Sequence, residues 1–393
     1  MTQTTAATTH GWVRTWSAAP QAPDAGLGSL DDVPPFADVT LRQVVRLSGG
    51  GARVRVRLTN EYGTTPLAIG AAAIGLAAVS GAIEAGTARV LTFAGRPDVT
   101  VPAGAPILSD PIDLPLPALT TLSISLYLPE LVQTRTYHDS SLEPGWIIAG
   151  NAVEAATVPE KAESLPARAL ISAVEVVPEA PATSIVVLSD SLADGFGSTP
   201  GAYQTWPELL AERGFYVCNQ GISGNRMLND GLGTAGLARF DRDVLATPGL
   251  GHVIVSLGHN DISIANAPRE DEDLAGFLAM FPGDPVTSDD VIAGYRQLIA
   301  RARDRGVKIY ATTVTPDEGS ETHTPAGESA RQAVNDWIRT SGAFDGVIDF
   351  DAAWRDPAHP GRIRDDLHAG DHLHGNDAGY RLLADAIDPS LFH

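Results

Sequence analysis

The sequence predicts two halves of different class: an all-β sandwich over residues 1–180 and a doubly covered parallel α/β sheet over residues 181–393. Three observations carry this expectation. Up to about residue 180, short runs alternate apolar with polar residues between Gly- and Pro-rich turns, and helical periodicity is nearly absent. From residue 183 onward, short apolar runs alternate with segments of helical spacing. Three of those apolar runs are followed closely by Ser191, Gly224 and Asn260, which the α/β reading places on one edge of one sheet.

The elements follow in order. VRLSGGGARVRVRLTNEYG, residues 45–63, alternates around a glycine turn and reads as a hairpin with one face buried. TTLSISLYLPE, residues 120–130, alternates the same way, and LTFAGRPDVTVPAGAPILSDPIDLP, residues 91–115, spaces Gly and Pro as sandwich loops do. AATVPEKAESLPARAL, residues 155–170, reads as the linker, with ISAVEVV as a strand of either half. In the second half SIVVLS, FYVCNQ, HVIVSLG, VKIYATTV and GVIDFD are central parallel strands. TWPELLAERG, LARFDRDVLA, DDVIAGYRQLIARARDRG and ESARQAVNDWIRTSG are helices that stop at Gly or Pro.

Composition sets bounds. A chain of 393 residues with 44% hydrophobic residues can fill two ordinary cores. Its 27 basic and 48 acidic residues leave a net charge of −21, which argues against nucleic acid and anionic membranes as partners. The second half carries most of the excess, 16 basic against 31 acidic residues. Cys218 is the single cysteine, so no intramolecular disulfide forms, and its place in FYVCNQ reads as an inert core thiol. The opening MTQTTAATTHGWVRTW has neither a basic start nor a continuous apolar stretch. No run reaches the ~20 apolar residues of a membrane helix. The expectation is a cytoplasmic chain, or a secreted one where a leader has been removed. Oligomeric state is not legible.

The chemistry starts at SIVVLSDSLADG, where a strand ends abruptly in a small-residue turn presenting Ser191. A serine hydroxyl is a poor nucleophile unless a base and an oxyanion site can reach it. In GDHLHGNDAGY, Asp371 and His374 stand three residues apart just ahead of a helix, so that on one turn the carboxylate can orient the imidazole. Between them, NQGISGNRM supplies Gly224, with an approachable backbone N–H, and SLGHNDI supplies Asn260, with a side-chain amide.

Ser, Gly, Asn and His, each in its own block and in this order, resemble the SGNH hydrolases, also called GDSL-type esterases, through roughly residues 181–393. The resemblance implies a flavodoxin-like fold in which Ser191, Asp371 and His374 form the triad and Ser191, Gly224 and Asn260 the oxyanion hole. The opening from Trp12 to Pro20, W-x-x-T-W-x-A-A-P, also resembles a β-domain that precedes the SGNH domain in some relatives. Two positions depart from the family pattern. Ser189 replaces the Gly of G-D-S and would be strained if positive φ were needed there. Gly375 replaces the Pro of D-x-x-H-P and should loosen the His374 loop.

Blander roles compete for the neighbours. Asp190 is expected to brace the turn and Asp261 to be a structural acceptor. His259 either lines the acyl pocket or faces solvent, and His372 is a loop residue beside the site. The stretch from Arg269 to Asp290 is either a solvated acidic face or a wall over the site built on Phe277, Leu278, Met280 and Phe281. Asp366, His368, Asp371, His372 and His374 invite a metal, but one His and one Asp already have better assignments, and no metal or other cofactor is expected. The implied activity is hydrolysis of short acyl esters, on small molecules or acetylated carbohydrates, through an acyl-enzyme. Two rivals remain: acyl transfer to an alcohol by the same residues, and a carbohydrate-binding protein whose fold has lost activity, for which Ser189 is the support.

Overall fold

The computed structural model describes residues 11–269 and 272–393. The opening residues 1–10, in which no leader is read, lie outside the described residues, as do 270 and 271 of the acidic stretch. The first half is strand-rich and antiparallel. One sheet runs in the order Val13–Ser17, Ile171–Val177, Gly51–Thr59, Pro106–Leu108, with Ile112–Leu116 also paired to Gly51–Thr59. A six-stranded sheet has Val39–Arg46 and Thr121–Leu128 at its centre, flanked by Gly145–Ala149 and Ala71–Leu76. Alternate residues of both sheets, among them Val54, Val56, Val174 and Val176 from one and Leu41, Val45, Ile124 and Leu126 from the other, fill a single core.

Two expectations need correction here. Residues 45–63 do not form a hairpin: Val39–Arg46 and Gly51–Thr59 belong to different sheets, and the glycines between them carry the chain across. A Cβ at Gly49 would overlap the Tyr216 ring, and one at Gly50 would overlap the Leu116 carbonyl, so the crossing is packed too closely for side chains. The segment 155–170 is not a free linker either. Glu163–Ser164 pairs with Gly145–Ala149, Arg168–Ala169 pairs with Tyr137–His138, and Ile171–Val177 is an inner strand of the first sheet. The connection between the halves is the short stretch after Val177.

The second half is a five-stranded parallel sheet. We label its strands β1 (Ser184–Ser189), β2 (Tyr216–Gly221), β3 (Leu250–Ser256), β4 (Lys308–Thr312) and β5 (Gly346–Ile348); their order is β2-β1-β3-β4-β5. β1 is buried on both faces, which explains why it reads as an unbroken apolar run. Val186 and Leu188 pack towards helices Ser288–Asp304 and Pro325–Thr340, whereas Ile185 and Val187 pack towards Trp206–Ala211 and Asp377–Asp385. Thr287 and Asp290 form a reciprocal capping box on the first of these helices, and Thr324 with Pro325 starts the second. LARFDRDVLA is α-helical only to Arg239 and then widens into a π turn, Phe240–Leu245.

The strand Val13–Ser17 ties the halves together. Arg14 accepts at its carbonyl from Ser184 Oγ, 2.9 Å, and from Cys218 Sγ, 3.2 Å, while Ser17 Oγ donates to the Asn219 carbonyl at 2.9 Å. Cys218 is fully buried, as expected. Among the described residues no helix is long and apolar enough to cross a membrane.

Candidate active site

The reversal of strand order falls between β1 and β3, and parallel sheets open a crevice at the carboxyl ends of their strands at such a point. β1 ends at Ser189, and Asp190 caps a four-residue helix, Ser191–Asp194, by accepting from the Leu192 N–H at 3.1 Å. That helix closes on Gly195 at φ +97°. Ser191 is thereby held at the mouth of β1, with its Oγ 2.9 Å from His374 Nε2. On the other side of the ring, His374 Nδ1 lies 2.6 Å from Asp371 Oδ2.

Asp371 and His374 are placed by an Asx-type bend rather than by a helical turn. Asp371 Oδ1 accepts from the backbone N–H of Leu373 at 3.0 Å and of His374 at 2.9 Å, and the helix begins only at Asp377, behind the Asn376 cap. Partial burial works against ionisation of Asp371. The His374 ring N–H and these two backbone N–H groups outweigh it and hold the carboxyl well below the usual carboxylate range. The loop around Gly375 is held at several points. The Ala369 N–H bonds the His374 carbonyl, the Asn376 N–H bonds the Leu367 carbonyl, and the Trp354 ring occupies the place where a side chain at 375 would sit.

Gly224 follows β2 at φ +74°, a conformation that favours glycine, and the Leu232 side chain fills the space a Cβ would need. Asn260 follows β3 and reaches back, donating Nδ2 to the Asn225 carbonyl at 3.0 Å and to Asp190 Oδ2 at 3.4 Å. Asn260 is thus tied to the Gly224 loop and to the turn carrying Ser191. Asp261 is the structural acceptor it reads as, taking the N–H groups of Met227 and Leu228 at 2.7 and 2.9 Å.

The pocket candidates divide. His259 is buried, with its Nε2 4.0 Å from Asp317 Oδ2, and lines a small cavity with Ile262, Val314 and Arg331; it does not face solvent. Burial lowers its pKa below the ordinary histidine value, against the pull of Asp317. His372 has φ +59°, lies tilted against His368 with ring centroids 4.3 Å apart, and occupies the space where a side chain at 319 would sit. Phe281 is buried among Leu232, Ile264, Leu274 and Leu278, and Phe277 sits edge-on to it at 4.9 Å, more exposed. Through Leu232 this cluster backs the Gly224 loop.

Two residues escaped the sequence reading. Phe196, half exposed, lays its ring 4.5 Å from that of His374. Its only signal was an aromatic between two turn glycines. Arg239 is fully buried and donates to the carbonyls of Ser189 at 3.1 Å and Gln220 at 2.8 Å and to Asn225 Oδ1 at 3.0 Å, joining the ends of β1 and β2 to the Gly224 loop. No spacing rule marks such a residue. Among the described residues no three His, Cys, Asp or Glu side chains converge as a metal site. In the acidic His-rich segment Asp366 pairs with Arg364, and His368 Nδ1 accepts a backbone N–H.

An imidazole between a carboxylate and a serine hydroxyl is placed to take that hydroxyl's proton. Residues 190–382 match the GDSL-like lipase/acylhydrolase family. Residues 190–382 thus form a GDSL-like acylhydrolase domain, which makes the protein a carboxylic-ester hydrolase, with the antiparallel half as an addition to that domain. Among solved structures the chain is similar to a carbohydrate acetylesterase from Sinorhizobium meliloti, at 17% identity and TM-score 0.39 over 52% of this chain and 95% of that one. It is similar to an aryl esterase from M. smegmatis, at 18% identity and TM-score 0.39 over 52% and 96%. A catalytic mutant of an acetylxylan esterase from Geobacillus stearothermophilus gives 23% identity and TM-score 0.37 over 52% and 91%. Comparison with curated proteins gives no match.

Proposed function

We propose that this protein hydrolyses short-chain acyl esters, of small molecules or acetylated carbohydrates, through an acyl-enzyme formed on Ser191 without a metal. The observation that carries the reading is the 2.9 Å approach of His374 Nε2 to Ser191 Oγ, with Asp371 Oδ2 2.6 Å from Nδ1. His374 takes the serine proton as Oγ attacks the ester carbonyl. The resulting oxyanion rests against the N–H groups of Ser191 and Gly224 and the Asn260 amide, one hydrogen of which exchanges its long, 3.4 Å contact with Asp190 for the oxyanion. His374 then protonates the leaving alcohol, and in the second half it activates water to release the acid and restore Ser191. Phe196 forms an apolar wall beside the His374 ring, consistent with a small acyl or alcohol group there.

In this reading residues 1–180 form a β-sandwich accessory domain and residues 181–393 the SGNH catalytic domain. The net charge of −21 disfavours nucleic acid and anionic membranes as partners. Ser189, on which the inactive, sugar-binding alternative rests, is extended strand with no positive φ, so the turn carrying Ser191 is unstrained at that position. The test is a series of p-nitrophenyl esters from acetate to dodecanoate, together with acetylated sugars, on the native chain and on Ser191→Ala. Turnover of the short esters that disappears in a folded Ser191→Ala is the expected result; equal turnover by both proteins contradicts the reading.

A further inference from the structure

His138 belongs to the antiparallel half, in the short strand Tyr137–His138, yet its ring reaches the nucleophile helix. Its Nε2 is 3.0 Å from Asp194 Oδ1, and its Nδ1 is 3.1 Å from the Ala19 carbonyl, in the Trp12–Pro20 segment. A carbonyl only accepts, so Nδ1 carries a hydrogen, and Nε2 faces a carboxylate, an arrangement that favours the doubly protonated ring. Burial opposes this charge. The Asp194 carboxylate and the Ala19 carbonyl overcome it and raise the histidine above its ordinary value.

Asp194 ends the helix that begins with Ser191, and its side chain is 9% exposed. While Oδ1 faces His138, Oδ2 accepts both the backbone N–H of Ser223, 2.9 Å, and its hydroxyl, 2.6 Å. Ser223 immediately precedes Gly224, so anchoring it at two points limits how the Ser223–Gly224 peptide can turn. Without His138 the Asp194 carboxylate would lose the donor that faces Oδ1 and would be free to relax away from Ser223.

We propose that His138 is a positioning residue contributed by the antiparallel half: by holding Asp194 it fixes Ser223 and so aims the Gly224 N–H at the oxyanion. This rests on the esterase reading with Gly224 as a donor. His138 is not needed merely to join the halves, because Arg46 pairs with Glu208 and Glu212 across the same boundary, at 3.2 and 3.1 Å, without touching the Gly224 loop.

The experiment measures kcat and KM on a short p-nitrophenyl ester for full-length native protein, His138→Ala, His138→Gln, Asp194→Asn, the His138→Ala/Asp194→Asn pair and Arg46→Ala. Each preparation is normalised to active sites titrated with a serine-directed phosphonate. Complete loss of one oxyanion donor costs ~10²–10³-fold in kcat, so a misaimed one should cost about 10-fold or more in His138→Ala, with KM changed less than about twofold. Asp194→Asn should fall by a similar factor and the double variant little further, because both act through one contact. His138→Gln, which still donates one N–H, should recover part of the rate. Arg46→Ala should keep native kcat per site. The proposal is overturned if His138→Ala loses no more kcat per site than Arg46→Ala. If His138→Ala does not fold, native kcat in Asp194→Asn overturns it. A native chain with no Ser191-dependent turnover at all defeats the esterase reading itself, an outcome distinct from either of these.

Discussion

Ser189 Oγ donates to the Ser256 carbonyl at 3.0 Å, binding the end of β1 to the end of β3 immediately beneath the site. The position is extended and fully buried, so the serine that replaces the family glycine is unstrained and makes a hydrogen bond glycine cannot. Ser189→Gly should therefore destabilise by about 1–2 kcal/mol, from the lost bond and the added freedom of the unfolded chain. Urea unfolding of the two proteins checks this; an equal or higher midpoint in Ser189→Gly contradicts it.

Burial pushes the Asp190 carboxyl up to about 7, with the Asp261 and Asp194 charges adding to it and the Leu192 N–H opposing. An unfolded aspartate titrates near ~3.9, so between about pH 4 and 7 the folded chain holds a proton that the unfolded chain has released. Stability from this group is present below that window and falls as pH rises through it. Relative to Asp190→Asn, native stability should drop by on the order of a few kcal/mol from pH ~4 to pH ~7 and then level off. A difference between the two proteins that does not change with pH rules this out.

Asp371→Asn keeps an oxygen for the Leu373 and His374 N–H groups but removes the acceptor facing His374 Nδ1. The bend should survive while the imidazole loses its orientation and its counter-charge. In serine hydrolases that change lowers kcat by about 10⁴-fold, and a loss of at least ~10²-fold with little change in KM is expected here. Steady-state kinetics decide it: more than about a tenth of native kcat in a folded Asp371→Asn would remove Asp371 from the triad.

Burial pushes the Cys218 thiol up to about 12, against the pull of Arg14. The native protein should resist a disulfide reagent such as DTNB at neutral pH and release one equivalent of thiolate only after denaturation. Rapid labelling of folded protein contradicts a buried thiol.

The parallel sheet was legible because its central strands are covered on both faces and so read as short apolar runs, while the helices between them stop at Gly or Pro. Ser191, Asp371 and His374 were legible for a related reason: each sits where a regular pattern stops, at a strand mouth or just ahead of a helix cap. The crossing at Gly49–Gly51 was not, because alternation reports which face of a strand is buried and not which strand lies beside it. Residues 155–170 read as a linker because their pairings, Glu163–Ser164 and Arg168–Ala169, are each two residues long and separated by Pro166. Arg239 and His138 are invisible to any local pattern. Their acceptors, the Ser189 carbonyl and Asp194, lie 50 and 56 residues away in the chain.

The central claim is that Ser191 carries the acyl group, and the most direct test is mass spectrometry of the protein treated with a p-nitrophenyl phosphonate. The account predicts one adduct per chain, located on the peptide containing Ser191 and absent from folded Ser191→Ala. An adduct on another residue, or equal labelling of the Ser191→Ala chain, would contradict it.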